Sequence, residues 1–397
     1  MKQPPKPLGI YIHIPFCKSK CIYCDFYSLP RAERQMDGYV SALCRHLEES
    51  ASGSLSTSYW VDTVYFGGGT PSYLGEKRLR LLLKTIRKRF QVSAGAEVTL
   101  EANPDSLGDW RTAQALRQAG FNRISLGVQS ASGRELRSLG RPHTFQQAEQ
   151  AVEAARQGGF DNLSLDLIYG LPGQTLADWQ RTVEAAAALE PEHLSCYGLK
   201  VEEGTPLWNI QGVLDLPDGD LQADMYLWTV ERLAQLGYGQ YEISNFSKPG
   251  RASRHNLKYW NLEEYAGFGP GAHSDVGGVR YAFVRDLEAY CQCVEKGGEI
   301  LSESERIPAW ERDMEYLMLG LRTVRGISPR EFESRYRLPF DGIRSALERF
   351  RETGHAMEVG ERWRLTPEGF LVSNLIIGEV LEIVAEEKQR RDTRVRR

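Results

Sequence analysis

The first 250 residues alternate between short apolar runs rich in β-branched residues and longer stretches with helical spacing. In Leu79–Phe90, for example, the large apolar side chains recur at steps of three and four, as on one face of an amphipathic helix. Strands that alternate with helices predict βαβ units and a parallel sheet. The predicted strands are Gly9–Pro15, Val61–Phe66, Glu97–Glu101, Arg123–Val128, Asn162–Ile168 and His193–Leu199, and the predicted helices are Glu76–Phe90, Asp109–Ala119, Thr144–Gln157 and Leu176–Leu189.

Two α/β architectures fit six such units, a partial (β/α)6 barrel and a doubly wound open sheet, and the hydrophobic pattern alone leaves both open. The barrel is favoured because polar or glycine-rich residues follow nearly every strand, at the edge where parallel α/β folds place their sites. These segments are Cys17–Cys24, Gly67–Thr70, Asn103, Gln129 and Gly170–Gly173. Each one alone also fits a plain turn, and their recurrence on one face predicts a functional site there.

The pattern changes beyond Tyr238, where residues 245–274 are rich in glycine, asparagine, histidine and aromatics and predict loops with short elements. The C-terminal part predicts a small α+β, winged-helix-like domain. Its elements are the helices Glu311–Leu321 and Asp341–Thr353, a hairpin of Ala356–Val359 and Arg362–Leu365, and a closing helix Pro367–Val384. We therefore divide the chain into a barrel core (1–240), a connecting region (241–305), the winged-helix-like domain (306–385) and a basic tail (386–397) that we expect to be solvated and frayed.

Charge and hydropathy exclude several classes of protein. The 49 Lys and Arg residues against 53 Asp and Glu residues give a net charge of −4, so nucleic acid is not an expected partner. No stretch approaches the ~20 apolar residues that a membrane span requires. The start, Met1–Pro7, lacks the apolar segment of a secretory signal. We expect a cytoplasmic protein without a transmembrane segment.

Three of the seven cysteines, Cys17, Cys21 and Cys24, follow the first predicted strand with the spacing C-x3-C-x2-C. In a large unexported chain, clustered cysteines hold metal or do chemistry more often than they form disulfides. Zinc sites normally have four ligands, and the next cysteine, Cys44, is predicted on a helix. Three thiolates can instead hold three irons of a [4Fe–4S] cube and leave one iron open. Zinc and three unrelated thiols are the alternatives; Cys44, Cys196, Cys291 and Cys293 have no assigned role.

The block Tyr11–Cys24 resembles the cluster loop of radical S-adenosylmethionine (SAM) enzymes, in the branch that contains oxygen-independent coproporphyrinogen III oxidase and the heme chaperones. The resemblance continues through FGGGTP, EANP, SLGVQ and DLIYGLP, which start at Phe66, Glu101, Ser125 and Asp166. It implies a partial (β/α)6 radical SAM barrel with a [4Fe–4S] cluster on the three cysteines. The positions that match the SAM-binding residues of the family are Tyr11, Tyr23, Gly68, Gly69, Thr70, Glu101, Gln129, Arg141 and Asp166, and Lys200 matches a position that the family uses for a backbone contact.

The chemistry of SAM suits these residue types. Glycines in Gly68–Thr70 can bring bare backbone close to the methionyl amine and carboxylate, because glycine has no Cβ. The resemblance implies that Glu101 and Asp166 contact the cationic or hydroxyl parts of SAM and that Arg141 contacts its carboxylate. Without the cysteines, Asp166 also fits a strand-end cap and Arg141 a surface salt bridge.

Two departures separate this chain from the coproporphyrinogen enzymes. They extend the cysteine block to a further cysteine where this chain has Phe26, and they carry a longer segment before the cluster loop. A second marker, His255-Asn-Leu-Lys-Tyr259-Trp260, resembles the H-N-x-x-Y-W motif of the heme chaperones. Imidazole is a common ligand of heme iron, and the two aromatics suit a flat macrocycle. A loop histidine with two core aromatics is the plainer alternative, and His273 is a second candidate for contact with heme or SAM.

The resemblance therefore implies a heme chaperone that binds heme, a [4Fe–4S] cluster and SAM and passes heme to an acceptor protein. Proteins of the respiratory chain are candidates for this acceptor. The resemblance also implies an electron donor. The alternative is an oxygen-independent coproporphyrinogen III oxidase (dehydrogenase), which would use a 5′-deoxyadenosyl radical to decarboxylate a porphyrinogen propionate. A radical SAM methyltransferase or another tetrapyrrole-tailoring enzyme is a third option. We favour the chaperone over the enzymes.

Overall fold

The computed structural model describes residues 4–395, which form two compact units. Unit 1 contains residues 4–225, Ser253–His255 and Glu264–Glu305. Unit 2 contains Tyr226–Ala252, Asn256–Glu263 and the chain from Arg306 onward. The predicted connecting region 241–305 thus contributes residues to both units.

The strands of residues 4–395 are numbered in chain order. They are β1 (Lys6–Ile14), β2 (Phe16–Cys17), β3 (Leu29–Pro30), β4 (Tyr59–Gly68), β5 (Val92–Ala102), β6 (Arg123–Gln129), β7 (Leu163–Tyr169), β8 (His193–Gly198), β9 (Gly239–Glu242), β10 (Asn245–Ser247), β11 (Tyr265–Phe268), β12 (His273–Val276), β13 (Val279–Phe283), β14 (Leu301–Arg306), β15 (Ala356–Val359) and β16 (Arg362–Leu365).

The α-helices follow the same order. They are α1 (Met36–Ala51), α2 (Ser54–Ser58), α3 (Glu76–Arg89), α4 (Trp110–Ala119), α5 (Gly133–Ser138), α6 (Phe145–Gln157), α7 (Leu176–Ala187), α8 (Pro206–Ile210), α9 (Gly219–Gln235), α10 (Arg254–Trp260), α11 (Leu287–Lys296), α12 (Asp313–Gly320), α13 (Pro329–Tyr336), α14 (Asp341–Glu352), α15 (Pro367–Leu371) and α16 (Ser373–Val395). None of those described helices is both long and apolar enough to cross a membrane.

The sheet of unit 1 has the strand order β14-β13-β12-β11-β1-β4-β5-β6-β7-β8. The six predicted strands, β1 and β4 to β8, are all present and pair in parallel in chain order. A doubly wound sheet would reverse its order at the centre, so the order excludes that alternative. Within this unit β8 and β14 lie at opposite ends of the order, which leaves the barrel partial, as predicted.

The predicted helices of unit 1 are α3, α4, α6 and α7. In α3 the predicted apolar face is the buried one, since Leu79, Leu82, Leu83 and Ile86 are at most 1% exposed. The start of α4 is set by Asp109, whose side chain accepts a hydrogen bond from Thr112 N. These helices position the loops that follow the strands, where the candidate site lies.

In the C-terminal part of unit 2 the predicted helices and hairpin form α12, α14, β15 and β16, and two differences appear. The prediction omitted α13, which begins after the N-cap Ser328. It also ended the closing helix at Val384, whereas α16 continues to Val395, so the expectation of a frayed tail was wrong as far as Val395. Lys388 pairs with the buried Asp313, and charged side chains four residues apart pair along the helix, which stabilises it. Residues 396–397 lie outside the described chain.

Candidate functional site

The cluster loop, Cys17–Cys24, leaves the carboxyl end of the first barrel strand. The short strands β2 and β3 pair in parallel and bring its two ends together. Leu29 N donates to the carbonyl of Pro15 at 2.7 Å, and Cys24 N donates to the carbonyl of Cys21 at 3.3 Å. The thiols of Cys17 and Cys21 are buried and that of Cys24 is half-buried, so all three are held in a compact loop.

The glycine-rich segment Gly67–Thr70 packs directly against this loop. Gly69 N donates to Ile14 O and Thr70 N donates to Phe16 O, both at 2.8 Å. A Cβ on Gly69 would lie 2.7 Å from Phe16 O and 3.0 Å from Cys17 Sγ. The close approach therefore requires glycine at position 69.

A chain of hydrogen bonds connects the first cysteine to the far side of the loop. The hydroxyl of Thr70 donates to Cys17 Sγ at 3.5 Å and accepts from Asn103 Nδ2 at 3.2 Å. Arg141 then donates to Asn103 Oδ1 at 2.9 Å and to the Tyr23 hydroxyl at 2.7 Å. Burial raises the pKa of Tyr23 to about 12, so this hydroxyl stays protonated. The network ties the strand ends of β4 and β5 to both halves of the cluster loop.

The charge around the cysteines suits a negatively charged group. Burial raises the pKa of the Cys21 and Cys24 thiols, and the neighbouring thiols raise it further. The Arg141 guanidinium acts in the opposite direction on Cys21. Its Nε atom is buried with no hydrogen-bond partner in the described structure. A half-buried cation with a buried spare donor beside three thiols fits a thiolate-ligated iron–sulfur cluster.

Across residues 4–395, no three His, Cys, Asp or Glu side chains converge closely enough to hold one metal ion. In a [4Fe–4S] cube each cysteine binds a separate iron, so the thiols stand further apart than the ligands of one zinc ion.

Glu101 lies at the end of β5 and faces the barrel interior. It accepts hydrogen bonds from the Tyr65 hydroxyl at 2.8 Å and from Gly68 N at 3.2 Å. Burial raises the pKa of this carboxyl to about 7, and the negative charge of Asp166 adds to the increase. Glu101 is therefore a carboxyl group that titrates near neutral pH beside the glycine-rich segment.

Asp166 faces the same interior from β7. It accepts hydrogen bonds from Ser195 at 2.7 Å, from Ser125 at 3.0 Å and from Ser164 at 3.3 Å. Burial raises its pKa, while the hydroxyl donors act in the opposite direction. Asp166 is not a strand-end cap but the centre of a polar cluster that spans β6, β7 and β8.

Gln129 ends β6 with a backbone φ of +67°, a strained conformation for a residue other than glycine. Its side chain is 6% exposed. A Cβ on Gly127 would lie 2.8 Å from Gln129 Nε2, 3.1 Å from Asn103 Oδ1 and 3.5 Å from an Arg141 Nη atom. Gln129 therefore lies beside Asn103 and Arg141 of the hydrogen-bond network, around the Cα of Gly127.

Tyr11 and His13 line the interior beside the glycines. The hydroxyl of Tyr11 lies 3.1 Å from His13 Nδ1, and His13 Nε2 donates to the Tyr27 carbonyl at 2.9 Å. Burial lowers the pKa of His13 to about 4, so the imidazole is neutral and accepts the Tyr11 hydrogen bond. Its ring lies 2.7 Å from the position of a Cβ on Gly68. His13, Tyr65 and Asn103 were not predicted as site residues; Asn103 alone carried a signal, as a polar residue directly after a strand.

The H-N-x-x-Y-W motif forms α10, whose first two residues belong to unit 1 and the rest to unit 2. His255 is 1% exposed, its Nδ1 lies 2.8 Å from Thr63 Oγ1, and its ring stacks on Tyr65 at 5.2 Å between centroids. Tyr259 and Trp260 are half-buried. His255 thus packs among the polar residues of the barrel interior rather than at the surface.

Two other predicted positions lie apart from this network. Lys200 is exposed in the loop after β8. His273 is exposed on β12, with Nδ1 3.8 Å from Glu303. Neither shares a hydrogen bond with the cluster-loop residues described above.

Comparison with known proteins agrees with this geometry. The model of the Radical SAM superfamily matches residues 11–186, and that of the HemN C-terminal domain matches residues 307–372. The structure of coproporphyrinogen III oxidase (HemN) from Escherichia coli, a radical SAM enzyme, is similar with a TM-score of 0.82 and 25% identity. That similarity covers 96% of this chain and 91% of the other. Fold and site together define a radical SAM protein.

Sequence similarity to known relatives shows which family of radical SAM proteins the chain belongs to. The heme chaperone HemW of Bacillus subtilis is 37% identical over 377 residues, which cover 94% of this chain and 98% of the relative. The heme chaperone HemW of Escherichia coli is 36% identical over 372 residues, with 94% and 97% coverage. The chain belongs to the HemW family.

Proposed function

We propose that this chain is a heme chaperone that binds heme, a [4Fe–4S] cluster and SAM and transfers the heme to an acceptor protein. The observation that carries the proposal is the similarity to relatives named heme chaperones along 94% of the chain, both units included. The Thr70–Asn103–Arg141–Tyr23 network supports it, because it holds the cysteine loop by hydrogen bonds and places a positive charge beside the thiols.

In this proposal Cys17, Cys21 and Cys24 hold the cluster. The cluster supplies one iron without a protein ligand, to which the amino and carboxylate groups of SAM can bind. Residues Gly68–Thr70 bring backbone groups to those atoms, and Arg141 pairs with the carboxylate. The remaining SAM contacts that we propose come from Tyr11, Tyr23, Glu101, Gln129 and Asp166.

For heme we propose the α10 motif, with His255, Tyr259 and Trp260 as contacts. Because His255 is 1% exposed and its Nδ1 is hydrogen bonded to Thr63, heme iron can reach its Nε2 atom only if the residues that cover the ring move. Heme binding is therefore expected to require a shift of α10. The proposal also includes a cytoplasmic location, an electron donor and an acceptor protein.

Coproporphyrinogen III oxidase activity is the second candidate, and the similarity to the Escherichia coli HemN structure favours it. Phe26 distinguishes the two functions. It stands where the oxidases have a further cysteine, and its side chain is 64% exposed beside the cluster loop.

A heme titration of anaerobically reconstituted protein tests the proposal. We expect a shifted Soret band that is lost in His255→Ala and kept in the control His355→Ala, a half-buried histidine of unit 2 outside the motif. In parallel, the protein is incubated with coproporphyrinogen III, SAM and a reductant, and the product is analysed for loss of carboxyl groups. Decarboxylated product without stable heme binding would contradict the chaperone function and support the oxidase function.

A further inference from the structure

Arg123, the first residue of β6, is a charged side chain enclosed in the barrel at 1% exposure. Its Nε and Nη1 atoms are buried without a hydrogen-bond partner among residues 4–395. Thr99 stands opposite it on β5, and its hydroxyl is also buried and unpartnered. A buried guanidinium with unmade hydrogen bonds costs stability, so packing alone does not account for this residue.

The strand register shows which groups Arg123 faces. Side chains alternate along β6, and Ser125 donates to Asp166, so Arg123 points into the same interior. Glu101 stands opposite Ser125 on β5. Two residues along a strand span about 7 Å, a distance that an extended arginine side chain covers. The guanidinium therefore lies within electrostatic range of both interior carboxylates.

We propose that Arg123 is a positioning residue for SAM: its buried charge favours the ionised forms of Glu101 and Asp166, which accept hydrogen bonds from the ligand. The inference rests on the proposed function, since it concerns the same SAM site. In this proposal Arg123 acts through the two carboxylates rather than by contact with the ligand.

The surroundings leave few other groups for this task. The titratable and charged groups that interact with Glu101 include Tyr11, Tyr65, Asp166 and Arg123, and Asp166 also interacts with Cys196. His193 is buried close to Arg123; burial lowers the pKa of its imidazole and the Arg123 charge adds to the decrease, so it stays neutral. Arg123 is thus the positive charge that lowers the pKa of both Glu101 and Asp166, against the effect of burial.

The test is the pH dependence of SAM affinity, measured by equilibrium dialysis on cluster-reconstituted protein. For the wild type we expect affinity to rise with pH through about 7, the pKa of Glu101. In Arg123→Met the midpoint moves up by about one pH unit, which weakens binding about tenfold below the midpoint. Arg123→Lys keeps the charge and a midpoint close to that of the wild type, and Glu101→Gln removes the pH step in either background.

Arg156→Met is the matched control, because Arg156 pairs with Glu192 outside this interior. Iron content and melting temperature show that each variant is folded, and Arg123→Gln replaces Arg123→Met if the latter does not accumulate. The inference is overturned if the wild type binds SAM and Arg123→Met or Arg123→Gln shows the same pH dependence of SAM affinity as the wild type. It is also overturned if Arg123→Lys shifts the midpoint as far as Arg123→Met. A wild type with a full cluster but no SAM binding would overturn the proposed function instead.

Discussion

The contact between the glycine-rich segment and the cluster loop can be broken by one methyl group. In Gly69→Ala, the new Cβ would lie 2.7 Å from Phe16 O, 2.9 Å from Ile14 O and 3.0 Å from Cys17 Sγ. Two of these atoms are backbone carbonyls that cannot rotate away. The segment must therefore move away from residues 14–17, and the hydrogen bonds from Gly69 N to Ile14 O and from Thr70 N to Phe16 O are lost or stretched.

The size of the effect follows from these contacts. Each backbone hydrogen bond contributes about 1 kcal/mol net, and overpacking a tight contact costs roughly 1–3 kcal/mol. We expect the free energy of unfolding of unit 1 to fall by about 2–4 kcal/mol, the range left when part of the strain relaxes. The displaced Cys17 thiol should also reduce iron binding.

Urea unfolding and iron analysis after anaerobic reconstitution measure both effects. Gly38→Ala is the control, because a Cβ at that position of α1 meets no atom within 4 Å. There alanine should be neutral or stabilise the helix by up to about 1 kcal/mol. If Gly69→Ala unfolds at the wild-type urea concentration and binds as much iron, the account of this contact is wrong.

Three further predictions concern other parts of the molecule. Asn103→Ala removes the hydrogen bonds that join the Thr70 hydroxyl to the Arg141 guanidinium. It should weaken SAM binding about tenfold in dialysis and lower the free energy of unfolding by roughly 1–3 kcal/mol. Hydrogen bonds from Arg362 lower the pKa of Glu331 to about 2, so this pair should stabilise unit 2 fully above pH ~4.5 and lose its effect as pH falls through about 2. Glu331→Gln should flatten that part of the acid unfolding curve, with an amplitude of only about 1 kcal/mol because the pair is partly exposed. Gly326→Ala should destabilise unit 2 by more than about 2 kcal/mol in urea unfolding, because φ is +67° and the new Cβ would lie 2.0 Å from Trp363 O.

The barrel was predictable because its outer, helix-facing positions are apolar in every strand. In β7, for example, Leu163, Leu165 and Leu167 are buried, and the strand pattern follows directly from them. The polar interior was not predictable in the same way. Ser125, Ser195 and Asp166 gain meaning only when neighbouring strands place them side by side, since their hydrogen bonds join residues far apart in sequence.

The candidate site was predicted in part for a similar reason. Glycines and polar residues at strand ends marked the correct edge of the sheet. The sequence did not show that Asn103 joins Thr70 to Arg141, or that His255 is buried against Thr63. Both facts depend on long-range packing rather than on local pattern.

The most direct test of the central claim is iron and sulfide analysis with electron paramagnetic resonance of the anaerobically purified, reduced protein, with and without SAM. The account predicts about four irons and four sulfides per chain and a [4Fe–4S] signal that changes when SAM is added. Replacing Cys17, Cys21 and Cys24 by alanine should abolish it. A preparation that contains zinc instead of iron, or a cluster signal that does not change when SAM is added, would contradict the account.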